Sequence, residues 1–231
     1  MSASELDALL NTAIERVRQY GPVEAVPLDP ALARPKSFLK VLDADHYNWR
    51  APGFRKLFGM RFRVKLPPLD QINLIFYPEA DRATPIFIFF CLLTKRKVIA
   101  HLNVNCPFDD AGDRAQWVEP LLERLRRYPS FECDDRYPAW MLKYRNDCTI
   151  YGMFPKQRFE DLRNCALDYL DCYLPAAAQQ APETDPQRLQ CIREFHDGFV
   201  SDIRTQDKAQ GMIARMIGKE TARRIFYEVT T

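Results

Sequence analysis

Polar residues inside strands that packing would make apolar are where this chain could do chemistry, because a buried polar group must find a partner or a ligand. The clearest case is Lys97–Asn105, KVIAHLNVN. A strand's period of two sends Ile99, His101, Asn103 and Asn105 to one face, and Val98, Ala100, Leu102 and Val104 to the other. That polar face is either an outer surface in water or the wall of a pocket. The neighbouring run at residues 85–93, PIFIFFCLL, is apolar on both faces and so belongs in a sheet covered on both sides. A strand beside it cannot easily stand half in water, which adds weight to the pocket. Asn73, in the apolar context INLIFY, is a second candidate, either a satisfied core amide or a ligand contact.

The motifs that carry most known cofactors are absent. There is no GxGxxG, P-loop, GxSxG or HExxH, and the 8 glycines of the chain leave little for a phosphate-cradling loop. The 3 histidines form no cluster with cysteine at ligand spacing, so no metal site is expected. The 7 cysteines are odd in number and none stands in a CxxC pair, which fits reduced thiols used mostly for packing. Lys and Arg against Asp and Glu give 33 − 31 = +2, so no global field draws the chain to nucleic acid. The run at 85–93 is the longest apolar one, and a membrane helix needs roughly 20 such residues, so no membrane span is expected. The start, MSASELDALLNTAIERVRQYG, lacks the basic head and apolar stretch of a signal peptide, which points to the cytoplasm.

The elements that must position these residues follow from periodicity. Ser4 can cap a helix over Glu5–Arg18, in which Leu6, Leu9, Leu10, Ala13 and Val17 recur on one side. A Pro-rich connector at 22–35 leads to strands at 58–66, 70–77, 85–93 and 97–105. Turn-prone PEADRAT and TKRK separate them, as in an antiparallel meander. A helix is expected at 114–127, a strand at 148–154, a helix at 159–174, a loop at 176–186, and two helices at 187–203 and 208–217, the last stopped by Gly218. The expectation is an α+β chain in one domain over 1–231: N-terminal helix and connector at 1–45, mainly sheet at 58–155, mainly helix at 156–231.

Several stretches then carry a resemblance. P-G-F-R-K-L (52–57), L-D-Q-I-N-L-I-F-Y-P (69–78), T-P-I-F (84–87), P-A-W (138–140) and T-Q-D-K (205–208) fall in the order and spacing of the ferredoxin-dependent bilin reductases, over roughly residues 47–231. The resemblance implies an α/β/α sandwich whose central antiparallel sheet and C-terminal helices enclose a linear tetrapyrrole. It implies reduction of that pigment, biliverdin or a dihydrobiliverdin, by single electrons from ferredoxin through a radical. No cofactor is bound by the protein itself, and protein groups supply the protons. Position by position, Asn73 stands where the family has His or Asn beside the bilin, Asn going with the phycoerythrobilin-type enzymes. Asp207 matches the family's acid in the C-terminal region, and Lys208 a basic residue close to a propionate.

Two departures stand out. The family reads P-x-F-G-x-D where this chain reads Pro85-Ile86-Phe87-Ile88-Phe89-Phe90, so Phe90 takes the place of the central acid. Phenylalanine cannot donate a proton. His101, on the adjoining strand, is the replacement this sequence offers, against the reading of a core or surface histidine, and the match from Phe90 onward puts Ile99, His101 and Asn103 on the ligand face. An arginine used for a propionate is also missing, Met153 and Phe154 lying there. His46 reads as structural, and His196–Asp197 as an exposed helical pair or a pocket contact. The basic groups Lys95-Arg96-Lys97 and Arg124, Arg126, Arg127 are either solvated surface or a transient electrostatic dock for acidic ferredoxin on a monomeric chain. The departures leave open a diverged redox enzyme acting on another conjugated small molecule, and a bilin-binding protein without turnover.

Overall fold

The computed structural model describes residues 5–37, 42–66, 68–129, 131, 133 and 136–231; Ser4, the expected cap, lies outside them. Helix α1 (Glu5–Arg18) buries Leu6, Leu9, Leu10, Ala13, Ile14 and Val17. Its acidic first turn and basic last turn suit the helix dipole. Among the described residues seven strands form one sheet, β1 (Glu24–Val26), β2 (Leu42–Ala51), β3 (Phe54–Lys65), β4 (Pro68–Pro78), β5 (Ile86–Thr94), β6 (Lys97–Asn105) and β7 (Ile150–Pro155). They lie in chain order with every neighbour antiparallel. A short helix α2 (Pro30–Ala33) sits between β1 and β2.

The meander was legible from the turns, but β1 and β2 were not. β1 is three residues long. β2, LDADHYNWRA, carries acids where a strand signal wants apolar residues. Its Asp45 lies opposite Arg61 of β3 and pairs with it, while the same guanidinium reaches Asp43 at 3.0 Å. Opposite charges facing each other across a ladder stabilise a strand that composition alone would reject.

Both faces of the sheet are covered. On one, Ile72, Leu74, Phe76, Phe87, Phe89, Val98, Ala100 and Leu102 are buried with α1, α4 (Glu119–Leu125) and α5 (Phe159–Gln179). α4 follows a short turn of helix, α3 (Ala111–Asp113), and a π-helical turn, Arg114–Val118. On the other face, Phe58, Met60, Phe62, Ile75, Tyr77, Ile86 and Ile88 pack with α6 (Pro186–Gln206), α7 (Ala209–Ile217), α8 (Lys219–Arg224) and a closing π-helical turn, Ile225–Thr230. The fold is therefore α+β, an antiparallel sheet between two helical layers. Central strand β5 is buried on both sides, as its unbroken apolar run requires.

The helices differ from expectation mainly at their ends. α5 runs through Pro175 to Gln179, into residues read as loop. α6 begins where Asp185 accepts from the Gln187 and Arg188 amides, with Pro186 at the first helical position. Gly218 does more than stop α7. Its φ of 93° and ψ of 148°, a conformation open essentially to glycine alone, turns the chain directly into α8.

Candidate functional site

A cavity of about 780 Å³ lies between the second sheet face and the C-terminal helices. That volume falls within the range of small-molecule sites, roughly 300–1,000 Å³. The register explains its floor. Asn73 of β4 lies opposite Phe90 of β5, Phe90 opposite His101 of β6, and His101 opposite Tyr151 of β7, so one rung of the sheet presents all four side chains to the same side. The roof comes from the α6–α7 junction, where Gln206, Asp207 and Lys208 line the cavity. A third wall is the segment that carries Arg136, Pro138 and Trp140 and continues into the 3-10 turn Ala139–Tyr144.

Three polar groups of the cavity differ in state. Burial pushes the Asp207 carboxyl above its ordinary pKa; the Ala209 amide, donating to Oδ1 at 2.8 Å, opposes that rise. The acid therefore keeps its proton to higher pH than a solvated aspartate does. Burial moves His101 the other way, down to about 4, so the imidazole is neutral at pH 7. Asn73 Oδ1 is enclosed and accepts no hydrogen bond from the described residues. An amide oxygen buried in this way is poised for a donor supplied by a ligand. Apolar side chains, among them Phe58, Met60, Ile75, Phe199, Ile213 and Phe226, make up most of the remaining wall. A flat, largely apolar guest with a few N–H and anionic groups suits such a lining.

Of the seven residues singled out in sequence, the structure brings five to the cavity: Asn73, Phe90, His101, Asp207 and Lys208. Ile99 and Asn103 are not part of its lining. Ile99 shares the face of His101 but lies opposite Leu92 and Met153, two residues nearer the β5–β6 hairpin and outside the lining. Asn103 is fully buried and satisfied. Its Nδ2 donates to Asn105 Oδ1 at 2.6 Å and to the Tyr144 carbonyl at 2.8 Å, while its Oδ1 accepts from Thr149 at 2.9 Å. It ties β6 to the chain before β7. The polar face of β6 thus divides into a pocket residue, His101, and structural amides.

The other histidines are also buried. His46 Nδ1 lies 2.8 Å from the Leu32 carbonyl, in keeping with a structural role. His196 is 2% exposed, not a surface group, and neither of its ring nitrogens has a hydrogen-bond partner among the described residues; Asp197 beside it is exposed. Residues missed in sequence include Arg136, which brings a guanidinium to the wall although β7 holds none at Met153 and Phe154. Tyr137 and Tyr151, which surround His101, were missed as well. A positive residue just before P-A-W was visible in the sequence, but nothing there said it would meet the cavity. Among the described residues no three His, Cys, Asp or Glu side chains gather as metal ligands would, and no helix is long and apolar enough to cross a membrane. Lys95, Arg96 and Lys97 are exposed on the β5–β6 hairpin, whereas Arg124 is half-buried with its Nε 3.2 Å from Cys172 Sγ.

A sheet walled by two helical layers, with a cavity beneath the C-terminal helices, is an architecture shared with known proteins. The ferredoxin-dependent bilin reductase family model matches residues 10–230, and the chain belongs to that family. Among solved structures, phytochromobilin synthase from tomato, crystallised in complex with biliverdin, superposes with a TM-score of 0.87 at 16% sequence identity. The match covers 96% of this chain and 81% of the tomato chain. At that identity the likeness speaks for the fold. No curated protein matches the sequence significantly.

Proposed function

We propose that this chain reduces a linear tetrapyrrole of the biliverdin type, with reduced ferredoxin as the electron donor. The observation that carries the proposal is the cavity itself, where Asp207, His101 and the unpartnered Asn73 Oδ1 face one enclosed space of suitable size. Membership of the family and the biliverdin held by the tomato relative support the choice of substrate.

Saturating one carbon–carbon double bond takes two electrons and two protons. Ferredoxin delivers electrons one at a time, so the pigment passes through a radical. Asp207, its carboxyl pushed above the ordinary carboxylate range by burial, gives one proton to the ligand, is reprotonated from solvent at the mouth of the cavity and delivers the second proton the same way. Asn73 Oδ1 accepts from a pyrrole N–H. Lys208 and Arg136, on different walls, meet the propionates. His101 is a further polar group turned to the pigment. The exposed Lys95-Arg96-Lys97 hairpin is the steering surface for an acidic partner.

Phe90 favours a second reading. Where an acid would stand beside His101 there is a phenyl ring, so a protein that holds the pigment without turnover is the competing outcome. One experiment separates them. Biliverdin is added anaerobically and the absorption spectrum recorded, then ferredoxin, its reductase and NADPH are supplied. A bound pigment whose long-wavelength band is replaced by that of a reduced product supports the reductase. A complex that persists unchanged makes the chain a binding protein, and no complex at all points to another conjugated substrate.

A further inference from the structure

His101 is held by more than the sheet. Its imidazole meets the Tyr137 ring edge-on with centroids 5.5 Å apart and planes at 77°, and the Tyr151 ring edge-on at 5.8 Å and 74°. The two tyrosines meet each other edge-on as well, at 5.1 Å and 86°. Three mutually perpendicular rings leave the imidazole little rotational freedom. An isolated parallel bridge, Cys133 to Tyr151, ties the chain just ahead of Tyr137 to β7. Within this cluster the Tyr137 hydroxyl lies 3.3 Å from His101 Nε2.

The direction of that hydrogen bond decides which nitrogen His101 offers to a ligand. Tyr137 is 7% exposed, and burial raises the pKa of its phenol further above the ordinary value, so at neutral pH it carries its proton. If Nε2 also carried a proton, the phenol would accept and its own O–H would be left without this partner, at a cost of roughly 1–3 kcal/mol. If Nε2 is bare, the phenol donates and both groups are satisfied. A neutral imidazole with a bare Nε2 carries its proton on Nδ1. Nε2 is occupied by Tyr137, so Nδ1 is the nitrogen left for the cavity that His101 lines.

We propose that Tyr137 is a positioning residue that locks His101 in the Nδ1–H tautomer, making the neutral imidazole a fixed hydrogen-bond donor to an oxygen of the bound ligand. This refines the function proposed above, on which its ligand rests, and it gives Asp207 and His101 different tasks. Asp207 transfers a proton, while His101 polarises a carbonyl without changing its own charge. No acid at the Phe90 position is needed for that second task.

The test reads the tautomer without any ligand. Long-range proton–nitrogen NMR on the full chain labelled with ¹⁵N-histidine is expected to show His101 as Nδ1–H. In Tyr137→Phe, which keeps the ring and its packing, the signal is expected to move to Nε2–H or a mixture, with the amide spectrum otherwise native. Biliverdin affinity, read from the visible spectrum, should fall about tenfold in that variant. An Nε2–H signal in the unaltered protein overturns the proposal, and so does a Tyr137→Phe variant that changes neither tautomer nor affinity. If the unaltered protein does not bind biliverdin at all, the substrate proposal fails while the tautomer assignment stands on its own measurement.

Discussion

Mild acid should strongly destabilise this protein, because its histidines are all buried as neutral rings. His46 and His101 are 5% exposed and His196 is 2% exposed. Burial lowers each of them from 6.5 to about 4, with the Leu32 carbonyl and Asp45 opposing the drop at His46 and Arg55 adding to it at His196. Each folded pKa lies below its unfolded value. Stability is therefore complete above about pH 6.5 and is lost as the pH falls towards 4, since the unfolded chain takes up protons that the native state refuses. At about 1.4 kcal/mol per pH unit, each histidine costs roughly 2 kcal/mol between pH 7 and 5, or about 6 kcal/mol for the set. That is a large part of an ordinary stability of roughly 5–15 kcal/mol. The raised Asp207 and Asp113 carboxyls bind protons early in the native state and return part of the loss. Urea unfolding followed by tryptophan fluorescence provides the assay. With a slope near 3 kcal/mol/M, the midpoint should fall by about 2 M from pH 7 to 5. A fall below about 0.5 M would refute the assignment of these rings as buried and neutral, as would histidine resonances that titrate near 6.5 in the native protein.

Asp207→Asn should retain biliverdin affinity and slow single-turnover reduction by roughly 100-fold or more, and an unchanged rate would remove this carboxyl from proton transfer. Asn103→Ala strands the Tyr144 carbonyl and Asn105 Oδ1 and should lower stability by about 2–3 kcal/mol with no change in the spectrum of bound pigment; a spectral shift would place Asn103 against the ligand after all. Gly218→Ala, forced to adopt a φ of 93°, should cost roughly 1–3 kcal/mol in a thermal melt, and an unaltered transition would contradict the glycine-only turn between α7 and α8. Reversing the charges of the exposed hairpin with Lys95→Glu and Arg96→Glu should slow ferredoxin-driven reduction at low salt and flatten its salt dependence; identical rates at every ionic strength would exclude this surface as the dock.

The meander of β3 to β6 was legible because its strands are continuous or alternating runs of apolar residues closed by turn formers, and such signals are local. The same locality hid β2. Asp43 and Asp45 are tolerable in a strand only because Arg61 faces them from β3, a pairing that exists after the hairpin closes. Asn73, Asp207 and Lys208 could be singled out because they stand in stretches shared with a family, and an asparagine within INLIFY is anomalous on its own terms.

For the polar face of β6, sequence determined only that Ile99, His101, Asn103 and Asn105 lie on one side of a strand. Periodicity sets direction. It does not set what stands opposite. Tertiary structure decided that His101 falls on the rung with Asn73, Phe90 and Tyr151 beneath the α6–α7 junction, whereas Asn103 meets the Tyr144 carbonyl and Thr149 and is used up by them. The Tyr137 hydroxyl beside His101 arrives from a segment 36 residues further along the chain. Contacts of that separation depend on register and packing across the whole sheet, and no local spacing in the sequence encodes them.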